Sequence, residues 1–481
     1  MSIRRHTLYN ILGSIAPLGI SLVTVPIYLH TIGEARYGVL AIVWLFTGYF
    51  GVFDMGLARA SAYHLARQRD EAPGVRSTTF WTALWLNLSF GLLGAVVLYV
   101  VAQPVFAHFF HMSEALRRNV LVSLPWIAAT LPLGTLGGVL VGALQARERF
   151  GYMNLIGVLN TALTQIAPLI VAIFISPELT WLIPAIVLAR ASGLVLLFAG
   201  VWRFLPIVPS ALFDRARARE MFSYGGWVFV TNIAVSVLST FDRMVIGAML
   251  NVQAVAYYTV PYSLVNRLNI LPGAFTASLF PRFSRVQDEE GKQLAMRALT
   301  GLMAVTTPLA VMGMAALHLF LYYWISPEFS HKSAATGMIL LAGVWINGLA
   351  FVPYSLLEGQ NRPGIIAKLH IAELPIFLLI LWGGIHWLGL PGAALAPTLM
   401  AALDAIVLFS FAGMAAALKD FLLPAALILG SVISAPHVLF SIPTFLALII
   451  VFVSTIWALF VSPELRHAFA LATRKLHIFS T

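Results

Sequence analysis

Five arginines stand inside stretches of this sequence that are otherwise almost entirely apolar. They are Arg59, Arg190, Arg243, Arg267 and Arg297. A charged side chain at the centre of a bilayer costs about 2.5–3.5 kcal/mol on insertion scales, so each of these residues requires a polar environment. A guanidinium keeps its proton and presents a planar set of donors that fits two phosphate oxygens. The residue type therefore favours either a site for a phosphate-like anion or ion pairs between helices.

The positions of these arginines bear on that choice. Arg190 and Arg267 lie midway along their apolar stretches, where the side chain cannot easily reach either membrane surface. Arg243 directly follows Asp242, so an ion pair is as well supported there as an anion site. Arg59 lies nearer a helix end and could extend to the lipid headgroups, and the fifth arginine begins a helix, where we expect an anchor.

Acidic residues are embedded in the same stretches. Asp54 and Asp242 are predicted to bind a coupling ion, H⁺ or Na⁺, or to orient an arginine. Glu373 and Asp404 lie in later helices and are interpreted as structural. Three histidines are interpreted as polar contacts at helix ends, namely His64, His318 and His370. The chain has no cysteine, so we expect no thiolate metal site, and no metal or cofactor is predicted.

Four prolines lie inside predicted membrane helices. Pro17 and Pro26 belong to the first helix, and Pro261 and Pro272 belong to the eighth. A proline removes one backbone hydrogen bond and permits a kink, so these positions are predicted hinges. Because proline is common in membrane helices, a purely structural use is also consistent with the pattern.

The elements that hold these residues follow from composition. Of 481 residues 60% are hydrophobic and 10% charged, and the mean hydropathy is +0.89. Apolar runs of about 20 residues cross a bilayer, and the sequence contains about fourteen of them. The fold class is therefore an all-α polytopic membrane protein. The basic start is followed by an apolar run that is too long for a signal peptide, which predicts a retained first helix.

Basic residues predict the orientation. An even number of helices puts both termini on one side, and most of the 29 lysines and arginines fall on that side. The opposite side has only Arg36, Arg117, Arg118 and Lys332. The positive-inside rule then predicts cytoplasmic termini. The net charge of +10 is thus largely a topology signal, and no nucleic-acid partner is expected.

A weak internal repeat predicts the domain organisation. The run RYGVLAIV at 36–43 is similar to AYYTVPYS at 256–263, and LQARERFGYMN at 144–154 is similar to EGQNRPGIIAK at 358–368. Six helices separate the copies, so the repeat is parallel, about an axis along the membrane normal. The predicted parts are a first lobe, a polar linker, a second lobe and two extra helices with a tail, at 1–205, 206–220, 221–417 and 418–481.

Two segments resemble a known family. VPIYLHTIGEARYGVLAI at 25–42, with the FDMGLARA that follows, is similar to the start of Wzx-type O-antigen and exopolysaccharide lipid flippases. STFDRMVIGAMLNVQAVAYYTVPYSL at 239–264 resembles the start of their second lobe. These flippases belong to the multidrug/oligosaccharidyl-lipid/polysaccharide exporter superfamily.

The resemblance implies a substrate and a place for the charges. It implies export of an undecaprenyl-diphosphate-linked glycan through a central cavity bordered by helices one, two, seven and eight. On this view Arg59, Arg190, Arg243 and Arg267 hold the diphosphate. The lipid bilayer and polysaccharide assembly proteins are the expected partners. The sequence contains no P-loop, so an ion gradient or the membrane potential is the expected driving force.

Other functions remain open at this point. A peptidoglycan lipid II flippase and a multidrug antiporter belong to the same superfamily, although the first helix lacks the carboxylate that a cation exporter would need. A membrane polysaccharide polymerase or glycosyltransferase is the alternative from another class. Such an enzyme should have a large periplasmic loop, whereas the longest outward loop, near 103–119, is short.

Overall fold

The computed structural model describes residues 3–48, 57–68, 71–205, 207–208, 213–221, 240–285, 288–360, 362–433 and 442–462. Across these ranges the regular structure is helical, with no strand. The helices are α1 (Ile3–Gly48), α2 (Leu57–Arg67), α3 (Pro73–Pro104), α4 (Glu114–Ala146), α5 (Phe150–Phe174), α6 (Leu179–Phe204), α7 (Val252–Val265), α8 (Ile270–Phe283), α9 (Asp288–Trp324), α10 (Pro327–Gly359), α11 (Pro363–Leu388), α12 (Leu390–Phe411), α13 (Leu422–Ile433) and α14 (Ile442–Val461). Residues 240–249 are also helical.

Ten of the described helices are long and apolar enough to cross a membrane, and Leu446–Val461 is a shorter apolar helix. The polytopic all-α prediction is thereby confirmed, and about fourteen spans is consistent with this count. The fourteen labels do not correspond one to one with the predicted spans. The first predicted span, 7–30, lies in α1, and the second, 37–64, includes parts of α1 and α2. The eighth, 254–281, is divided between α7 and α8.

The chain reverses direction inside α1. Gly33 has φ +79° and ψ 164°, a backbone conformation that glycine adopts without steric cost. The rings of Tyr28 and Trp44 lie 5.7 Å apart. At 1.5 Å rise per residue a straight helix would separate them by about 24 Å. The segments on either side of Gly33 therefore form an antiparallel pair, as predicted for the first two helices.

The described chain divides into two compact units, Met1–Ala256 and Tyr257–Thr481. In the first unit, residues from the predicted linker 206–220 bind the start of α3. The backbone N–H of Val208 donates to Ser77 Oγ at 2.7 Å, and the Arg217 guanidinium donates to Thr79 Oγ1 at 2.6 Å. This part of the predicted linker is thus fixed to α3. The predicted lobe boundaries remain a prediction.

In the second unit, glycines on α10 provide space for prolines of the neighbouring segment. A Cβ atom added at Gly337 would meet Pro261 Cβ at 2.8 Å, and one added at Gly348 would meet Pro272 Cγ at 2.8 Å. Both pairs advance by three helical turns in the same direction, so the two segments run parallel. Pro261 and Pro272 therefore act as packing surfaces in this structure, and their role as hinges remains a prediction.

Candidate functional site

The predicted eighth helix is interrupted at its centre, at the position of Arg267. Residues Asn266–Asn269 form a 3₁₀ turn between α7 and α8. A 3₁₀ segment in the middle of a longer helix often marks a hinge or a functional position. The sequence predicted the charge at this position, but it did not predict the break.

The 3₁₀ turn concentrates polar side chains. Asn269 Nδ2 donates to Asn266 Oδ1 at 2.9 Å, and Asn347 Nδ2 of α10 donates to Asn269 Oδ1 at 3.5 Å. The Arg267 side chain is exposed, and no acidic side chain within the described ranges pairs with it. The second unit thus presents an exposed arginine in a turn that also holds hydrogen-bonded asparagines, within a largely apolar helix pair. Such an arrangement can bind an anion.

Arg190 lies in the first unit, on the face of α6 towards α4 and α5. It is partly buried and lines a cavity of about 200 Å³. The other walls include Gly134 and Gly137 of α4 and Asn160 of α5. Apolar side chains complete the lining, among them Leu133 and Ile156. Asn160 Oδ1 is buried, and among the described residues it has no hydrogen-bond partner. Within the described ranges, Asn160 is the one polar side chain that lines this cavity besides Arg190, and the predicted role of Arg190 remains a prediction.

Asp242 and Arg243 are both buried in the first unit, at 3% and 2% exposure. The backbone N–H of Arg243 donates to Asp242 Oδ1 at 2.8 Å, and its Nη1 lies 3.4 Å from the same oxygen. Asp242 is thus paired with Arg243, and whether it binds a coupling ion or orients the arginine remains a prediction. The structure brings this pair together, and Arg243 is less accessible to a ligand than Arg267.

Two predicted site residues are not fully described. Asp54 lies outside the described residues. Arg59 lies in α2, but its side chain is not among those described. Pro17 and Pro26 lie within α1, which continues through both positions and reverses only at Gly33. The predicted roles of all four residues therefore remain predictions.

The structure also brings together three polar residues that were not predicted to be neighbours. His370 and Glu373 of α11 lie beside Asp404 of α12, and one ligand atom from each falls within 4.8 Å of the others. Glu373 Oε2 lies 3.1 Å from His370 Nδ1. The spacing of His370 and Glu373, three residues apart on one helix, was a detectable signal. The approach of α12 was not detectable, because it depends on helix packing.

A second group that the sequence did not reveal joins α1 to α5. Gln165 Oε1 accepts a hydrogen bond from Thr24 at 2.6 Å, and the Gln165 backbone carbonyl accepts one from Tyr28 at 2.5 Å. Gln165 Nε2 donates to Ser21 Oγ at 3.2 Å. These bonds fix α1 against α5 at mid-helix, and they satisfy polar groups that lipid could not satisfy.

Sequence comparisons place this architecture in a family. The family described as "Polysaccharide biosynthesis protein" matches residues 3–287, more than half of the chain. A candidate O-antigen transporter of Shigella flexneri is 26% identical over 409 residues, covering 85% of this chain and 97% of that protein. The succinoglycan biosynthesis transport protein ExoT of Rhizobium meliloti (strain 1021) is 23% identical, covering 75% of this chain and 70% of its own.

Solved structures share the fold. The lipid II flippase MurJ in an inward closed conformation aligns with a TM-score of 0.68 at 12% identity, over 93% of this chain and 98% of that one. An inward-facing multidrug resistance MATE family transporter of the MOP superfamily aligns with a TM-score of 0.66 at 16% identity, over 87% and 96%. This chain therefore belongs to the polysaccharide biosynthesis protein family, with the fold of the multidrug/oligosaccharidyl-lipid/polysaccharide exporter superfamily.

Proposed function

We propose that this protein is a flippase that moves an undecaprenyl-diphosphate-linked oligosaccharide, an O-antigen or exopolysaccharide repeat unit, from the cytoplasmic to the periplasmic leaflet. The observation that supports the proposal is that each unit contains an arginine within an otherwise apolar segment, in a chain of the polysaccharide biosynthesis protein family. Arg190 lines a cavity in the first unit, and Arg267 lies at a helix break in the second. The protein is a transporter and not an enzyme of the pathway.

The substrate's chemistry matches these residues in three parts. The diphosphate needs positive charge and several donors, which a guanidinium supplies in one plane. The glycan needs a hydrated passage, and the polyprenyl chain can remain in lipid. Arg59 and Arg243 complete the proposed set of diphosphate ligands. Arg243 would bind the diphosphate either while it remains paired with Asp242 or after the pair has separated.

The driving force is proposed to be electrical and ionic. An inside-negative membrane potential favours outward movement of negative charge by about 2.3 kcal/mol per charge for each 100 mV. Antiport of H⁺ or Na⁺ would add to this, with Asp54 and Asp242 as the proposed ion-binding carboxylates. We place the protein in the bacterial inner membrane with cytoplasmic termini, in contact with polysaccharide assembly proteins.

The test is complementation in a strain that lacks its own O-antigen flippase. We expect the wild-type chain to restore surface glycan, and Arg190→Ala or Arg267→Ala to reduce it at least tenfold. That factor corresponds to the loss of about 1.4 kcal/mol of binding. Arg297→Ala is the matched control, because this arginine is exposed in the third turn of α9. Normal glycan display in both variants, with normal membrane insertion, would refute the proposed diphosphate site.

A lipid II flippase is the second candidate, because MurJ shares the fold over nearly the whole chain. The two substrates have the same polyprenyl-diphosphate portion, so the same arginines would serve both. Depletion of the host's own lipid II flippase separates the candidates. We expect this protein not to rescue growth under depletion, and a rescue without any O-antigen phenotype would favour the second candidate.

A further inference from the structure

The cluster formed by His370, Glu373 and Asp404 includes none of the arginines discussed above. Glu373 is 5% exposed, whereas the His370 side chain is 30% exposed. The imidazole Nδ1 lies 3.1 Å from Glu373 Oε2, and Asp404 of α12 is within hydrogen-bonding range of Glu373. The cluster therefore leads from an accessible imidazole to the buried Glu373 carboxyl group and the partly buried Asp404.

One oxygen of each carboxyl group lacks a hydrogen-bond donor. Glu373 Oε1 and Asp404 Oδ1 are both buried, and neither has a hydrogen-bond partner among the described residues. Ionised carboxylates only accept hydrogen bonds, so two of them cannot satisfy each other. Like charges at this separation, buried in a membrane protein, cannot both persist without a bound cation. One proton shared between the two oxygens removes the repulsion and supplies the missing donor.

Among the residues that the structure describes, the surroundings of the two carboxyl groups offer no counter-charge other than His370. From α10, Tyr354 interacts electrostatically with Asp404 and with Glu358, and neither of these two α10 residues is a cation. The 3₁₀ segment Ala415–Phe421, which packs on α12, contains Lys419 and Asp420, and both are exposed. On α11 itself Lys368 is exposed as well. The imidazole of His370 is the basic group beside the two carboxyl groups, and it can exchange protons with water.

We propose that His370, Glu373 and Asp404 form a proton-binding site that couples proton movement to transport. A proton from water binds the imidazole and passes to the Glu373–Asp404 pair, and the histidine returns to its neutral form. The cluster lies towards the ends of α11 and α12 that we predict to be cytoplasmic, so exchange occurs with the cytoplasmic side. The coupling part of this inference rests on the proposed flippase function, whereas the proton site itself does not.

The site is tested by infrared spectroscopy of the purified full chain at about pH 7. Exposed carboxyl groups are ionised at that pH, so the carbonyl band of a protonated carboxylic acid reports a buried acid. We expect this band in the wild type, its loss in Glu373→Gln and in Asp404→Asn, and no change in Asp420→Asn. Both test substitutions conserve side-chain shape. A wild type without the band, or a band that survives both substitutions, would overturn the proposal. So would a tightly bound metal ion that Glu373→Gln removes.

Coupling is tested separately in vesicles containing a polyprenyl-diphosphate-linked glycan. With one proton exchanged per lipid, a gradient of one pH unit should enrich the lipid about tenfold in the leaflet that faces the acidic side. Glu373→Gln should abolish this enrichment without preventing slow equilibration. Equilibration in the wild type with no response to the gradient would refute coupling. No movement at all would refute the flippase function, while the infrared result would still decide the proton site.

Discussion

The side chains that we propose to act in transport are polar residues within otherwise apolar segments. Arg267 occupies a 3₁₀ turn supported by Asn266, Asn269 and Asn347. Breaking the α-helical pattern there frees backbone groups that a polar ligand or water can satisfy. Both the charge of Arg267 and the backbone groups freed by the helix break require a hydrated or polar position. The arginine and the break are therefore expected at the same place.

The geometry of the guanidinium can be tested apart from its charge. Arg267→Lys keeps the positive charge but loses the planar pair of donors. We expect Arg267→Lys to transport at an intermediate rate, between the wild type and Arg267→Gln, because charge-assisted bidentate bonds are stronger than a single contact. Surface glycan measured at matched membrane levels gives the order. Equal activity of the lysine variant and the wild type would mean that charge alone matters.

At the scale of helices, close approach depends on glycine. Helices α11 and α12 join at Gly389, which has φ +64°, and the two helices then touch at Gly384 and Gly392. A Cβ atom added at Gly392 would come within 1.8 Å of the Gly384 carbonyl oxygen. Because that oxygen is part of the backbone, it cannot move aside cheaply. This contact sets the register that brings Asp404 to Glu373.

Gly392→Ala is therefore expected to destabilise the second unit by about 1–3 kcal/mol, the usual cost of overpacking. Thermal unfolding in detergent, followed by size-exclusion chromatography, measures the change. The control is Gly364→Ala on α11, where an added Cβ meets nothing within 4 Å. If the two variants unfold at the same temperature, the helices do not depend on this contact.

At the scale of the whole molecule, the distribution of basic residues predicts the orientation in the membrane. Basic residues outnumber acidic ones by 29 to 19, and most of them fall in the connections on one predicted side. Arg282, Arg285 and Arg297 line one cavity at the start of α9, on that same side. Such clusters resist translocation and interact with anionic headgroups, so they hold the molecule in one orientation.

A reporter fused after Thr481 tests this orientation. We expect alkaline phosphatase to be inactive and a fluorescent protein to be bright at that position, because the C-terminus is predicted to be cytoplasmic. Fusions in the connection near Arg117 and Arg118 should give the reverse pattern. An active phosphatase at the C-terminus would contradict both the predicted helix parity and the orientation.

Class, approximate span positions and embedded charges could be determined from the sequence alone. Apolar length and the distribution of lysine and arginine are local properties, and the bilayer acts on them directly. The resemblance near 25–42 and 239–264 likewise depended on contiguous residues. Arg190 and Arg267 were identified in this way, because a charge in an apolar run is visible without any knowledge of neighbours.

Only the tertiary structure decided which side chains meet. A membrane helix that is apolar all round shows no contrast between its faces, so the sequence does not indicate which face contacts a neighbour. For that reason Asp404 could not be assigned to Glu373, nor Gln165 to Thr24, before the helices were packed. The 3₁₀ break at Arg267 and the reversal at Gly33 are also properties of the packed chain, since prolines and glycines are frequent in membrane helices that remain straight.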